Sequence, residues 1–439
     1  MSAKVNNNLE GTGNNLNNSE LDYSEDSDYN LESSSTHDRS SPAPPASQAQ
    51  NNGQVKRQKL DTEEDKPMLE FKHQIDPIVA CIVPGPVHCF SFTKCMRWVL
   101  LGSDDGYIRK YDFYSSMNGK AQLTLSQRHN FMDAITKAGV VQSYWDNEIY
   151  RQRPDMLAPN PPPYEYSFSP VYAVEIQSRG VWSLSGLDNG DINLYTVRYD
   201  EGKCHMALKH HKKQISVLKL LPDEFNALSG SWDQTIARWD LNTGQVVTKY
   251  EGHLSQITAI NLLPDNNGNV FLSTSMDGQS KIFDIRQGES GGLVQNISLP
   301  EKCPPMCKTS AIGPGGNKVY HGRRNNTVDE YDIKMGSFTR VLKLPNNSGP
   351  VSCVACHPYY DLLLCGSTDN LRMWWLSADY DPNNQDLVPF QIVPGHNSGL
   401  LSQMGFSENG EYFISSSGDR GWGGNSTNSA IFYTVKKKQ

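Results

Sequence analysis

Runs of alternating apolar and polar residues recur along this chain, each closing on an aromatic residue and preceded by a tight turn that carries Asp or Asn. Alternation with a period of two marks a strand with one face buried. The closing aromatics are Tyr111, Tyr195, Trp239, Phe283, Tyr331, Trp374 and Tyr433, usually followed by Asp or Thr. Their spacings are 84, 44, 44, 48, 43 and 59 residues, a unit of about 43 with additions in two places. In the third unit, residues 215–221 predict a first strand, 226–231 a second and 235–240 a third, with Asp233 in the turn. A unit of this size cannot bury its apolar face alone. The pattern therefore predicts an all-β, seven-bladed β-propeller.

Strand counting predicts how the ring closes. The seventh unit has strands at 400–406, 411–416 and 429–435, after which Lys436 to Gln439 leave no room for an outer strand. The first unit takes its four strands from 88–92, 97–102, 107–112 and 121–126, leaving Met68 to Val83 unassigned. Part of that segment is expected to supply the outer strand of the last blade, closing the ring and removing an exposed edge. The domain reading is a tail over 1–66 and a propeller over 67–437, with an insert over 127–165 between the first two blades.

Composition changes the picture at the N-terminus. Residues 1–66 carry 12 acidic and 6 basic residues, are rich in Asn and Ser, and are expected to be disordered because they cannot bury enough apolar surface. Nine cysteines without a disulfide rhythm, and no apolar leader, point to a reducing intracellular compartment. No apolar run approaches the roughly 20 residues that span a bilayer, so no membrane contact is expected. A net charge of −8 argues against nonspecific phosphate binding and favours basic protein partners. Lys56, Arg57 and Lys59 form a basic cluster in the tail that reads either as a nuclear import signal or as a solvated charge run.

The polar constellations read as architecture. In a WD40-type blade a His before the first strand, a hydroxyl on the second, the turn Asp and a Trp on the third form a hydrogen-bonded tetrad. His211, Ser229, Asp233 and Trp239 have that spacing. His253, Ser273 and Asp277 repeat it, but Phe283 replaces the Trp and cannot donate an indole N–H. Ser, His and Asp that recur blade by blade do not converge on one nucleophile. The Gly-x-Ser-x-Gly match at 288–292 lacks the helix that follows a nucleophile elbow. Cys353 and Cys356 lie three apart in an expected strand, on opposite faces, where they cannot share a metal. No catalytic residue, metal or cofactor is expected.

Function is expected in the additions to the repeat. Turns joining second and third strands, and connections from one blade to the next, emerge on the same face of a propeller. The insert over 127–165 is of the second kind and far longer than an ordinary connection. It predicts a short helix over 131–137, begun by Asn130 and ended at Gly139, followed by Trp145, Tyr150, Arg151 and Arg153. These are residue types common among interface anchors. In the seventh unit Asp419 to Gly424 lengthen the turn and present Arg420 and Trp422, while Trp232, Met276, Arg323 and Arg324 stand at that turn in other blades. All ten are candidate partner-binding residues. The plain alternative is that the aromatics pin the insert to its own propeller.

Residues 102–114, 130–137, 161–166, 230–240 and 417–424 resemble the WD40-repeat, TATA-binding-protein-associated subunit of the fungal SAGA transcriptional coactivator complex, and the resemblance extends over about 75–435. It implies a nuclear, nonenzymatic scaffold with the TATA-binding protein and other SAGA subunits as partners, regulating RNA polymerase II transcription. An acidic chain can be steered to a basic DNA-binding protein and compete with DNA for it, and no direct sequence-specific DNA binding is expected. The family's N-terminal region is often more acidic than this one, where Glu20 to Glu32 hold six carboxylates and no basic residue. The other reading is a WD40 peptide reader or adaptor, for histone tails or as a ubiquitin-ligase substrate receptor; no F-box-like motif supports the latter.

Overall fold

The structure, a computed structural model, describes residues 72–128, 135–149, 167–264, 268–290, 292–301, 303–368, 370–377, 390–396, 399–418 and 427–438. Seven sheets follow one another along the chain. The third shows the plan: Ile215–Leu220, Asn226–Ser231, Ile236–Asp240 and Gln245–Tyr250 pair antiparallel in that order and are called strands a to d. Strand b is buried almost throughout because neighbouring blades cover both its faces, whereas strand d alternates between exposed and half-buried positions and ends on a buried one. Strands a of consecutive blades lie side by side, and that of blade 7, Leu401–Phe406, touches both Cys353–Cys356 of blade 6 and Val87–Phe92 of blade 1. The ring is closed, as the repeat predicted.

The closing strand is His73–Ile82. It pairs antiparallel with Ser429–Lys437, from His73 opposite Lys437 to Ile82 opposite Ser429, with a bulge between Pro77 and Val79. Proline, which has no N–H to give the ladder, sits at the irregularity. The outer strand of blade 7 thus comes from the N-terminal side, where strand counting placed it.

Blade 1 departs from expectation. Its strand d is Val141–Asp146, not 121–126. Residues 121–126 alternate more cleanly, but packing overrides the pattern, because Val141–Asp146 delivers Trp145 into the cluster formed with Tyr195 and Val197 of blade 2. The chain from Phe113 to Val140 is consequently an added c–d connection, on the face opposite the b–c turns. It opens with the helix Phe113–Asn118, capped by Asp112, whose carboxylate accepts the Ser115 N–H at 2.8 Å. The expected helix over 131–137 falls largely on 129–134, outside the described residues, and its last position, Lys137, lies in a strand instead. Lys137–Ala138 pairs parallel with Val79 and Ala80, so blade 7 has five strands. Leu123 and Ile135 are buried beside Ile75, Phe413 and Tyr433. This clasp covers the edge that the closing strand would otherwise expose.

Candidate protein-interaction faces

The tetrad of blade 3 is fully connected. His211 Nδ1 lies 3.0 Å from Asp233 Oδ2, its Nε2 lies 2.7 Å from Ser229 Oγ, and the Trp239 indole donates to that hydroxyl at 2.8 Å. In blade 4, His253 Nε2 reaches Ser273 Oγ at 2.7 Å, but Nδ1 stands 3.7 Å from Asp277 and Phe283 offers no donor. Burial raises the Asp277 pKa, but His253 and the amides of Leu254 and Gln279 outweigh it and hold the group at about 2. The glycine before the His at Gly252 (φ +112°) and Gly395 (φ +152°) supplies a backbone turn that a side chain would strain.

Sequence reasoning missed a third tetrad. His396 Nε2 lies 2.8 Å from Ser415 Oγ, which donates to the Tyr433 hydroxyl at 3.1 Å, and Nδ1 lies 3.0 Å from Thr427 Oγ1. Burial drives the His396 pKa down to about 3, so the imidazole is neutral. The dipeptide Gly395-His396 was the available signal. Thr and Tyr in the usual Asp and Trp places concealed the rest.

The central channel is a small polar cavity of about 190 Å³ lined by the strands a of the blades. Its hydroxyls bridge the seams between blades: Ser216 donates to the Ile257 carbonyl at 2.6 Å, Thr258 to Cys307 at 2.9 Å and Ser402 to Val87 at 2.5 Å. These three occupy the bulged second position of strand a, which turns the side chain toward the next blade. Glu175 meets Lys219 at 3.3 Å and accepts a hydrogen bond from Ser91. A cavity this small and polar is unlike the roughly 300 Å³ or larger, mostly apolar pockets that hold small ligands. Cys353 and Cys356 enter different apolar clusters on the two sides of their strand, and among the described residues no His, Cys, Asp and Glu are grouped to hold a metal.

Two candidate partner-binding residues are buried. Trp145 is 7% exposed within the seam between blades 1 and 2. Arg323 is 1% exposed; its Nε donates to Asp329 at 2.8 Å and its guanidinium to the Gly278 carbonyl at 2.8 Å, tying blade 5 to the b–c turn of blade 4. Neither is available to a partner. Trp232 and Met276 are half-buried and Arg324 exposed, all at b–c turns on one face. Tyr150, Arg151, Arg153, Arg420 and Trp422, and Lys56, Arg57 and Lys59 of the tail, lie outside the described residues. The opposite face, formed by a–b and c–d connections, carries exposed apolar side chains that sequence reasoning did not single out, among them Tyr199, Phe225, Met335 and Tyr359.

The kinship of this ring is decided by the extent of the match. The family model described as the SPT8 β-propeller matches residues 73–267 and 265–436. The chain belongs to the SPT8 β-propeller family. It is 32% identical over 438 aligned residues to a protein named SAGA complex subunit SPT8 from Saccharomyces cerevisiae, covering 83% of this chain and 72% of that protein. Against SAGA complex subunit Spt8 from Schizosaccharomyces pombe the identity is also 32%, covering 83% of this chain and 79% of the relative. Similarity to a guanine nucleotide-binding protein subunit beta from Oryza sativa, 29% identical, covers 34% of this chain and 40% of that protein. That shorter match reflects the shared repeat. Among the described residues no helix is long and apolar enough to cross a membrane.

Proposed function

We propose that this chain is a nonenzymatic scaffold subunit of a nuclear SAGA coactivator complex, that it binds the TATA-binding protein, and that it thereby regulates RNA polymerase II transcription. The observation that carries the reading is the 32% identity to two SAGA subunits extending over 83% of the chain, well beyond a shared blade. The polar groups that resemble catalytic sets tie strands within single blades, which supports a scaffold. The net charge of −8 suits a basic partner.

Trp232, Met276 and Arg324 are the described residues we assign to the contact. Retention of purified TATA-binding protein by the full-length chain tests this. Replacing the three with Ala, Ala and Glu should weaken retention about tenfold, as loss of an interface anchor does, without changing the melting temperature. Unchanged retention would remove this face from the mechanism, and failure of the native chain to bind would remove the TATA-binding protein. Affinity purification of the tagged native protein tests complex membership separately, through the coactivator subunits that copurify.

A further inference from the structure

On the face opposite the b–c turns, the connections of blades 1 to 3 form one connected row. The Lys94 N–H of the blade 1 a–b turn donates to the Ser178 carbonyl of blade 2 at 3.2 Å. The Ser178 N–H donates to Glu224 of blade 3 at 3.1 Å, and Gln177 reaches the same carboxylate at 2.7 Å. Within blade 2, the Val197 N–H donates to the Val181 carbonyl at 2.9 Å, holding the c–d turn beside the a–b turn. The row is fixed before any partner arrives, so ordering it costs binding little.

Two large aromatic side chains stand out of this row. Tyr199 is 87% exposed and Phe225 60% exposed. Their backbone makes the exposure informative. Tyr199 (φ +54°) and Asp200 (φ +32°) occupy the left-handed region, and so does Glu224 (φ +58°), the residue before Phe225. A bulky residue held there costs on the order of 1–3 kcal/mol. No described contact of the Tyr199 ring offsets the strain. Exposed Arg97, Arg179 and Arg198 belong to the same connections, and none of them is in an ion pair among the described residues, although Arg97 lies over the Trp98 ring at 5.0 Å and Arg179 acts on Glu224 electrostatically. Three of the nearby acids are engaged: Asp223 caps its own turn through the Phe225 and Asn226 amides, Glu224 holds blade 2, and Glu201 is paired with Lys110 at 2.7 Å, so exposed Asp200 beside Tyr199 is the one acid of these turns set against the three arginines among the described residues.

We infer that this row is a docking surface for an acidic peptide segment carrying aromatic or aliphatic side chains, distinct from the face assigned to the TATA-binding protein. Rigid turns presenting Tyr, Phe and Arg together have the composition of interface anchors. Charge selects the occupant. A surface cluster of arginines on a protein of net charge −8 attracts acidic chain rather than a basic partner.

The test uses the full-length protein and a short fluorescent peptide of Glu and Asp with interspersed Phe and Leu, read by anisotropy. The control peptide has every acid replaced by its amide. The acidic peptide should bind and the amide peptide should not. Arg179→Glu with Arg198→Glu, and separately Tyr199→Gly with Phe225→Ala, should each weaken binding about tenfold or more. Tyr199→Gly also relieves the positive φ, so its melting temperature should not fall, and loss of binding cannot be assigned to unfolding. Leu254→Ala on the other face should leave binding unchanged. Equal binding of the two peptides, no binding of either, or full affinity in the variants overturns the proposal. Displacement of the acidic peptide by duplex DNA at lower concentration would overturn it in favour of a nucleic-acid surface.

Discussion

Arg323 and Arg324 are neighbours in sequence with opposite fates. Arg323 ends strand b, where the next turn of blade 4 closes over it; Arg324 begins the b–c turn and projects to solvent. Nothing within a few residues distinguishes them, because the Gly278 carbonyl that fixes Arg323 comes from another blade. Two consequences differ by an order of magnitude. Arg323→Ala leaves Asp329 buried without its cation and should cost about 3–5 kcal/mol in denaturant unfolding. Arg324→Ala removes an exposed side chain and should stay within about 0.5 kcal/mol. Similar losses for both would show that the Asp329 pair is not structural. The same logic separates legible residues from illegible ones: His211, Ser229, Asp233 and Trp239 sit within one unit at fixed spacing, so the sequence displays the set. His396 reaches across the lengthened turn to Thr427, whose identity matches no consensus.

At the scale of elements, the closing strand was legible by subtraction, since blade 7 lacked a fourth strand and residues 68–83 lacked a place. The outer strand of blade 1 was not, because residues 121–126 alternate cleanly while 141–146 do not, and only the partner surface of blade 2, which takes up Trp145, selects the second run. Misplacing that strand put the first part of the expected insert, up to Val140, on the wrong face. Its actual position makes it a clasp on the closing strand, with Gly139 as the pinch point. The Gly139 N–H donates to the Ala80 carbonyl at 3.0 Å, and a Cβ there would collide with Cys81 Sγ and press on the Tyr111 ring. Gly139→Val should destabilise the protein by about 1–3 kcal/mol. Hydrogen exchange should locate the effect, with faster exchange in His73–Ile82 and unchanged protection in blades 3 to 5. Uniform acceleration around the ring would mean that the clasp is not a separate unit of stability.

The ring as a whole is stitched by neutral buried histidines, and that gives it a particular response to acid. Burial lowers the pKa of His396 to about 3 and that of His321 well below its ordinary value, with Arg323 adding to the effect at His321. Burial also lowers His357 and His73, and at His73 Lys437 and Lys72 push the same way. A group whose folded pKa lies below its unfolded value of 6.5 binds its proton first in the unfolded chain. The stability of the native ring is therefore complete above about pH 6.5 and is lost as pH falls toward the folded values. Asp277, held at about 2 against an ordinary 3.8, acts in the same direction but only in the lower window between those two values. Loss between about pH 6.5 and 5 thus belongs to the histidines, each contributing up to about 1.4 kcal/mol per pH unit, because Glu201, Glu224 and Glu330, lowered from 4.5, join only below it. Urea unfolding at several pH values should show the midpoint falling through that range. His396→Gln should be less stable than the native protein near pH 7.5 yet show a shallower decline, because one of the titrating groups is gone. A native midpoint that stays flat down to about pH 5 would mean that these imidazoles gain partners on protonation, and the closed ring would then owe its acid response to carboxylates alone.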